Sequence, residues 1–111
     1  MGSESGAVPG LGALRRGAIF PSAPGPGWAR ALQQHLERDP LLRVQLSGYV
    51  PDVAGSERKR AGRKRAGAAR AALTAAGLPA RKIQIRAGSS SGLRRGQPHV
   101  VVRLYSVRGA R

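Results

Sequence analysis

The sequence predicts a two-layer α/β (α+β) domain in which one sheet carries helices on one face. Three observations predict it. Four short apolar or alternating stretches, at residues 18–20, 42–48, 82–87 and 100–107, have the character of strands. Two longer stretches between them repeat apolar residues at helical spacing. Clusters of Gly and Pro separate the two kinds of segment. The resulting order is β-α-β-α-β-β, and strand–helix–strand units of this spacing favour right-handed crossovers and a sheet covered on one side.

Residues 1–17 hold Gly, Ser and Pro without periodicity and are expected to form a flexible arm. Ala18-Ile19-Phe20 stops at Pro21, which suits a brief strand at a sheet edge. After the turn material Pro24-Gly25-Pro26-Gly27, the residues Trp28, Leu32, His35 and Leu36 fall at i, i+4, i+7 and i+8. This spacing predicts an amphipathic helix of about ten residues, closed by Asp39-Pro40. Leu42, Val44 and Leu46 then alternate with Arg43, Gln45 and Ser47, the pattern of a half-buried strand.

A loop from Gly48 to Gly55 leads to Ser56-Glu57, where a hydroxyl and a carboxylate suit a helix start. The Ala- and Arg-rich run that follows places Ala66, Ala69, Leu73 and Ala76 on a narrow, flat stripe, suited to close packing on a sheet. Gly77 ends this helix, with Pro79 just beyond it. Ile83 and Ile85 point inward from a third strand, Gly88 to Gly92 form a loop, and Val100, Val102 and Leu104 share one face of the last strand. The domain is thus expected over residues 18–107, with 108–111 as a C-terminal tail.

Composition narrows the function. At 111 residues, 41% apolar and with a single Phe and a single Trp, the chain has room for one domain with a thin core. It has no Cys, which excludes disulfides and thiolate metal sites. His35 and His99 stand far apart and are read as partly exposed imidazoles, so neither a metal nor another cofactor is expected. No apolar run reaches the ~20 residues of a membrane span, and no export signal is visible near the N-terminus. There is no Ser/His/Asp or Cys/His set and no convincing carboxylate pair, so a binding domain is expected rather than an enzyme, with no small-molecule substrate.

The net charge of +15 is unevenly placed: fifteen of the twenty basic residues, and none of the five acids, follow Glu57. Arg58, Lys59, Arg60, Arg63, Lys64 and Arg65 put six cations into eight residues. They read either as a grip on a polyanion, whether nucleic acid or an anionic envelope polymer, or as a solvated basic face. Aromatic residues are too scattered for base stacking, so any nucleic-acid binding would be without sequence preference. A second pair, Asp52 in the loop and Arg65 on the helix, has the chemistry for a zwitterion. The carboxylate takes an ammonium and the guanidinium takes a carboxylate in bidentate fashion. Equally, Asp52 reads as a turn residue and Arg65 as one arginine among many.

Particular runs carry a family resemblance. They are Val44-Gln45-Leu46-Ser47-Gly48-Tyr49, Asp52-x-x-Gly55, Arg65-Ala66, and Leu73-Thr74-Ala75-Ala76-Gly77-Leu78-Pro79-Ala80-Arg81-Lys82-Ile83. Together they resemble the peptidoglycan-binding C-terminal domain of OmpA-family proteins, over roughly residues 18–107 and most strongly over 42–88. The chain departs from that pattern with one extra residue between Gly48 and Asp52. Arg58 stands in place of an Asn, Ala61-Gly62 in place of Leu-Ser, and Gln97-Pro98-His99-Val100 where the last strand usually begins Asn-Arg-Arg. The resemblance implies non-covalent binding of the diaminopimelate stem peptide of peptidoglycan. It implies Asp52 and Arg65 as the binding pair, and a place in the periplasm or at the outer membrane of the cell envelope.

Overall fold

The computed structural model describes residues 8–21, 24–51, 56–88 and 97–107. Within them lie α1 (Leu11–Arg16), β1 (Ala18–Phe20), α2 (Pro26–Arg38), β2 (Leu42–Tyr49), α3 (Ser56–Ala75), a 3-10 turn (Ala80–Lys82), β3 (Ile83–Ala87) and β4 (His99–Ser106). The strands form one sheet in the order β1-β4-β2-β3. β2 runs parallel to β3, its partner across α3, and antiparallel to β4, which in turn pairs antiparallel with β1 at the other edge. The expected α/β class and the order β-α-β-α-β-β are both present, preceded by one short additional helix.

Each predicted element has a visible local cause. Pro26 sits in the first turn of α2, where its missing N–H removes nothing. Beyond the helix, Asp39 Oδ1 accepts the Leu41 N–H at 3.0 Å and turns the chain into β2. α3 ends in a Schellman arrangement around Gly77, whose φ is 111°. The Leu78 N–H donates to the Leu73 carbonyl at 3.1 Å and the Gly77 N–H to the Thr74 carbonyl at 3.0 Å. Leu73 and Leu78 are both buried, supplying the apolar contact that accompanies this stop.

One face of the sheet is the core. Leu42, Val44 and Leu46 of β2 join Val100, Val102 and Leu104 of β4 and Ile83 of β3, under Trp28, Leu32 and Leu36 of α2 and Ala66, Ala69 and Leu73 of α3. Phe20 meets Trp28 edge to face at 5.0 Å between ring centroids. The other face is polar: Arg103 Nε donates to Gln45 Oε1 at 3.3 Å and the Tyr105 hydroxyl to Gln84 Oε1 at 3.0 Å.

α3 lies unusually close to β2. A Cβ on Gly48 would overlap the Gly62 carbonyl, and one on Gly62 would stand 2.5 Å from the Gly48 oxygen. That same oxygen accepts the Gly88 N–H at 2.6 Å. The buried stripe of α3 therefore runs Gly62, Ala66, Ala69, Leu73, one turn earlier than the Ala66-to-Ala76 stripe read from sequence, and Ala76 is exposed.

The N-terminal segment corrects the expected arm. Its first seven residues lie outside the described set, as do residues 108–111, but residues 11–16 are helical and Leu14 is fully buried. Gly17, at φ 105°, then turns the chain into β1. A single turn and a half of helix carries too little periodicity to announce itself; tertiary burial of Leu14, with Val8 and Leu11 packed nearby, is what holds it.

Two expected outcomes follow. Leu14→Ala lowers stability by about 2–5 kcal/mol in urea titration, as for a core leucine. Gly62→Ala destabilises by roughly 1–3 kcal/mol or more, whereas Gly67→Ala, five residues along the same helix and 3.9 Å from its nearest neighbour, Ile85, stabilises by about 0.5–1 kcal/mol.

Candidate functional site

The Gly62 contact decides where the next turn of α3 stands. Ala66, one turn on, is fully buried against the sheet. Arg65 immediately before it is half-buried at the flank of the helix. Two recesses meet at this arginine. The larger, about 380 Å³, lies between Val50 and the α3 residues Ala61, Lys64, Arg65 and Ala68, floored by Val100. The smaller, about 230 Å³, lies between Arg65, the β1 segment Ile19–Pro21 and the start of β4 at Gln97–Val100.

Among the described lining residues of both recesses the charged groups are cations, Arg65 and Lys64. A guanidinium has five N–H donors and no acceptor, so Arg65 calls for an acceptor, best a carboxylate held by two parallel bonds. Half-burial strengthens such a pair by lowering the local dielectric.

Asp52 lies outside the described residues. The loop that carries it leaves β2 through Val50, and Val50 shares the larger recess with Arg65. Of the cation run, Lys59, Arg60, Arg63 and Lys64 are exposed and Arg58 is half-buried. Lys64 joins Arg65 at the larger recess. The others distribute around α3, as the 100° step per residue requires. On this helix Arg60 pairs with Glu57 at 3.7 Å, between side chains 79% and 66% exposed.

His99 corrects the sequence reading of a partly exposed imidazole: it is 6% exposed. Strand register is the cause, because β2–β4 pairing sets it opposite Tyr49, and the two rings lie 5.1 Å apart at a tilt of 51°. His99 Nδ1 lies 2.8 Å from the Gln97 carbonyl, and its Nε2 is buried without a hydrogen-bond partner among the described residues. An unmet buried polar atom typically costs about 1–3 kcal/mol. Sequence reasoning missed this residue as a member of the Arg65 recess. The available signal was its place at the start of the final strand, which becomes informative only once that strand's neighbours are known.

No family model matches the chain, and no curated protein matches it. Among solved structures, the OmpA-like domain of FopA1 from Francisella tularensis subsp. tularensis SCHU S4 superposes with a TM-score of 0.53 at 16% identity, covering 86% of this chain and 74% of that one. The chain is therefore an α/β domain whose fold is similar, distantly, to an OmpA-like domain. No helix among the described residues is long and apolar enough to cross a membrane.

Because both partners of the Arg60–Glu57 pair are exposed, Glu57→Gln is expected to shift stability by less than about 1 kcal/mol in urea titration. A larger loss would mean that Glu57 holds the cationic helix start together.

Proposed function

We propose that this chain is a non-catalytic binding module for peptidoglycan, taking the diaminopimelate residue of a stem peptide at the Arg65 recess and so anchoring to the cell envelope. The observation that carries this reading is the position of Arg65. In a fold similar to an OmpA-like domain, the arginine of the Arg65-Ala66 pair is half-buried at the meeting point of two recesses, beside the strand end from which the Asp52 loop departs. Arg65 holds the ligand carboxylate in bidentate fashion, and Asp52 neutralises the ammonium beside it. The apolar part of the larger recess, Val50, Ala61 and Ala68, accepts the methylene chain between the two ends of diaminopimelate.

A second reading has its own support. Lys59, Arg60, Arg63 and Lys64 are exposed on α3, with no acid following Glu57 in the chain. Such a surface attracts any polyanion, nucleic acid or an anionic envelope polymer, chiefly through counterion release.

Co-sedimentation with purified diaminopimelate-containing sacculi, at low and at high salt, separates the two. Binding through the recess keeps the protein in the pellet at both salts. Arg65→Ala then weakens binding by roughly tenfold to a hundredfold, the value of about 1.5–3 kcal/mol for hydrogen bonds to a charged group, and Asp52→Ala weakens it as well. Sedimentation at low salt alone, with Asp52→Ala binding as well as the parent or better, assigns the attraction to the exposed cations.

A further inference from the structure

We infer that a third recess, at the far end of the sheet from Arg65, is a phosphate-monoester site in which Arg43, Arg81 and Lys82 hold the ligand oxygens. The inference goes beyond the peptidoglycan reading and does not rest on it: this recess shares no residue with the two at Arg65, nor with the cations of α3.

Strand register builds the site. Arg43 of β2 stands opposite Tyr105 of β4, and Gln84 of β3 stands beside β2 on its other side, opposite Gln45. These side chains project away from the core, because Leu42, Val44 and Leu46 take the core side of β2 and Ile83 that of β3. The 3-10 turn leading into β3 brings Arg81 and Lys82 to the same place. With Ile83 and Val107 they line a space of about 280 Å³.

Two observations point to a ligand. The first is that Arg43 is already oriented. Its Nη1 donates to the Pro40 carbonyl at 2.8 Å and to the Leu42 carbonyl at 2.9 Å. A guanidinium has five N–H donors, so Nε and Nη2 keep three without a partner among the described residues. A cation held in place this way loses little freedom when an anion arrives.

The second observation is the balance of charge and donors. Arg43, Arg81 and Lys82 are cations, and no acid is among the described lining residues. Asp39, the acid nearest in sequence, is turned to the Leu41 N–H instead. The Tyr105 hydroxyl donates to Gln84 Oε1 at 3.0 Å, which leaves the Gln84 amide N–H groups as what that side chain can offer a ligand. A carboxylate brings one charge and two oxygens in a plane to this set. A phosphate monoester brings a charge of about −1.5 to −2 and three terminal oxygens, and matches it better. Arg103, two residues before Tyr105 on the same strand face, adds to the attracting field.

The test is a titration of the full chain with glucose 6-phosphate in phosphate-free buffer, read from the 15N–1H resonances of arginine Nε and glutamine amides. The Arg43 Nε and Gln84 amide signals are expected to move and saturate together. Dimethyl phosphate, with one charge, and acetate are expected to bind at least tenfold more weakly. Arg81→Ala with Lys82→Ala weakens binding by roughly tenfold to a hundredfold, as for hydrogen bonds to charged groups. Arg15→Ala with Arg30→Ala removes the same charge from exposed positions on α1 and α2, and changes binding by less than about twofold. Equal weakening by both double variants, or Arg43 and Gln84 signals that stay still while others move, overturns the site. Should the Arg81 and Lys82 variant fail to fold, the resonances of the unmodified chain decide. Phosphatidylcholine vesicles containing phosphatidic acid separate the sources. Capture by these vesicles, lost in the Arg81 and Lys82 variant, assigns the phosphate to a lipid headgroup; binding of the sugar phosphate alone assigns it to a soluble ester. Binding of neither overturns the proposal, and sacculus sedimentation that depends on Arg65 then leaves the peptidoglycan reading standing without it.

Discussion

The structure turns on one backbone contact. Gly48 of β2 and Gly62 of α3 meet with no side chain between them, and Gly88 closes the same point by donating its N–H to the Gly48 carbonyl. Three chain segments converge within the space that a single methyl group would fill. The rest of α3 follows from this: with the helix seated so low, only small residues fit its next turns, and Ala66 and Ala69 pack directly on the sheet before Leu73 can fill the widening gap. The same seating brings the flank of the helix level with the end of β2, so that Arg65 stands at the sheet's rim rather than out in solvent. A helix riding one side chain higher would leave Arg65 with the other solvent-facing cations.

Charge is sorted by the same geometry. The run from Arg58 to Arg65 is uniform in sequence, but a helix divides it by angle. Lys59, Arg60 and Arg63 face water, where charges are screened and individually weak. Arg65 is drawn partly out of water, where one guanidinium interacts more strongly with a bound anion. The sheet's uncovered face shows another use of arginine: Arg103 donates to Gln45, which is thereby buried to 7% exposure on the face opposite the core. High arginine content therefore corresponds to several distinct roles, set by how deeply each side chain sits and what it can reach.

The fold was largely legible in the residues, and for local reasons. Leu42 to Leu46 alternate because one face of their strand is core; Trp28, Leu32 and Leu36 recur at helical spacing because one face of their helix is too. Gly77 marks the end of α3 because its backbone needs φ near 111°. Where reading failed, the determining contacts lay far away in the chain. Residues 11–16 are too few to show a period, and their helix exists because the core takes in Leu14. Gly62 looked like a departure from a Leu-Ser pattern, and it is the residue whose lack of a side chain admits Gly48. His99 read as a partly exposed imidazole until pairing with β2 placed it against Tyr49.

The sequence by itself determined the fold class, the order of the principal elements and the apolar face of each strand, because these depend on periodicity and on glycine and proline chemistry, all written within a few residues. Tertiary structure alone decided the sheet order β1-β4-β2-β3, the depth of α3 and the placing of Arg65 and His99 along one recess. Those two residues are 34 positions apart, one on a helix and the other at the start of a strand, and no local pattern relates them. They share a recess because a helix without a side chain at Gly62 lies down on a strand without one at Gly48.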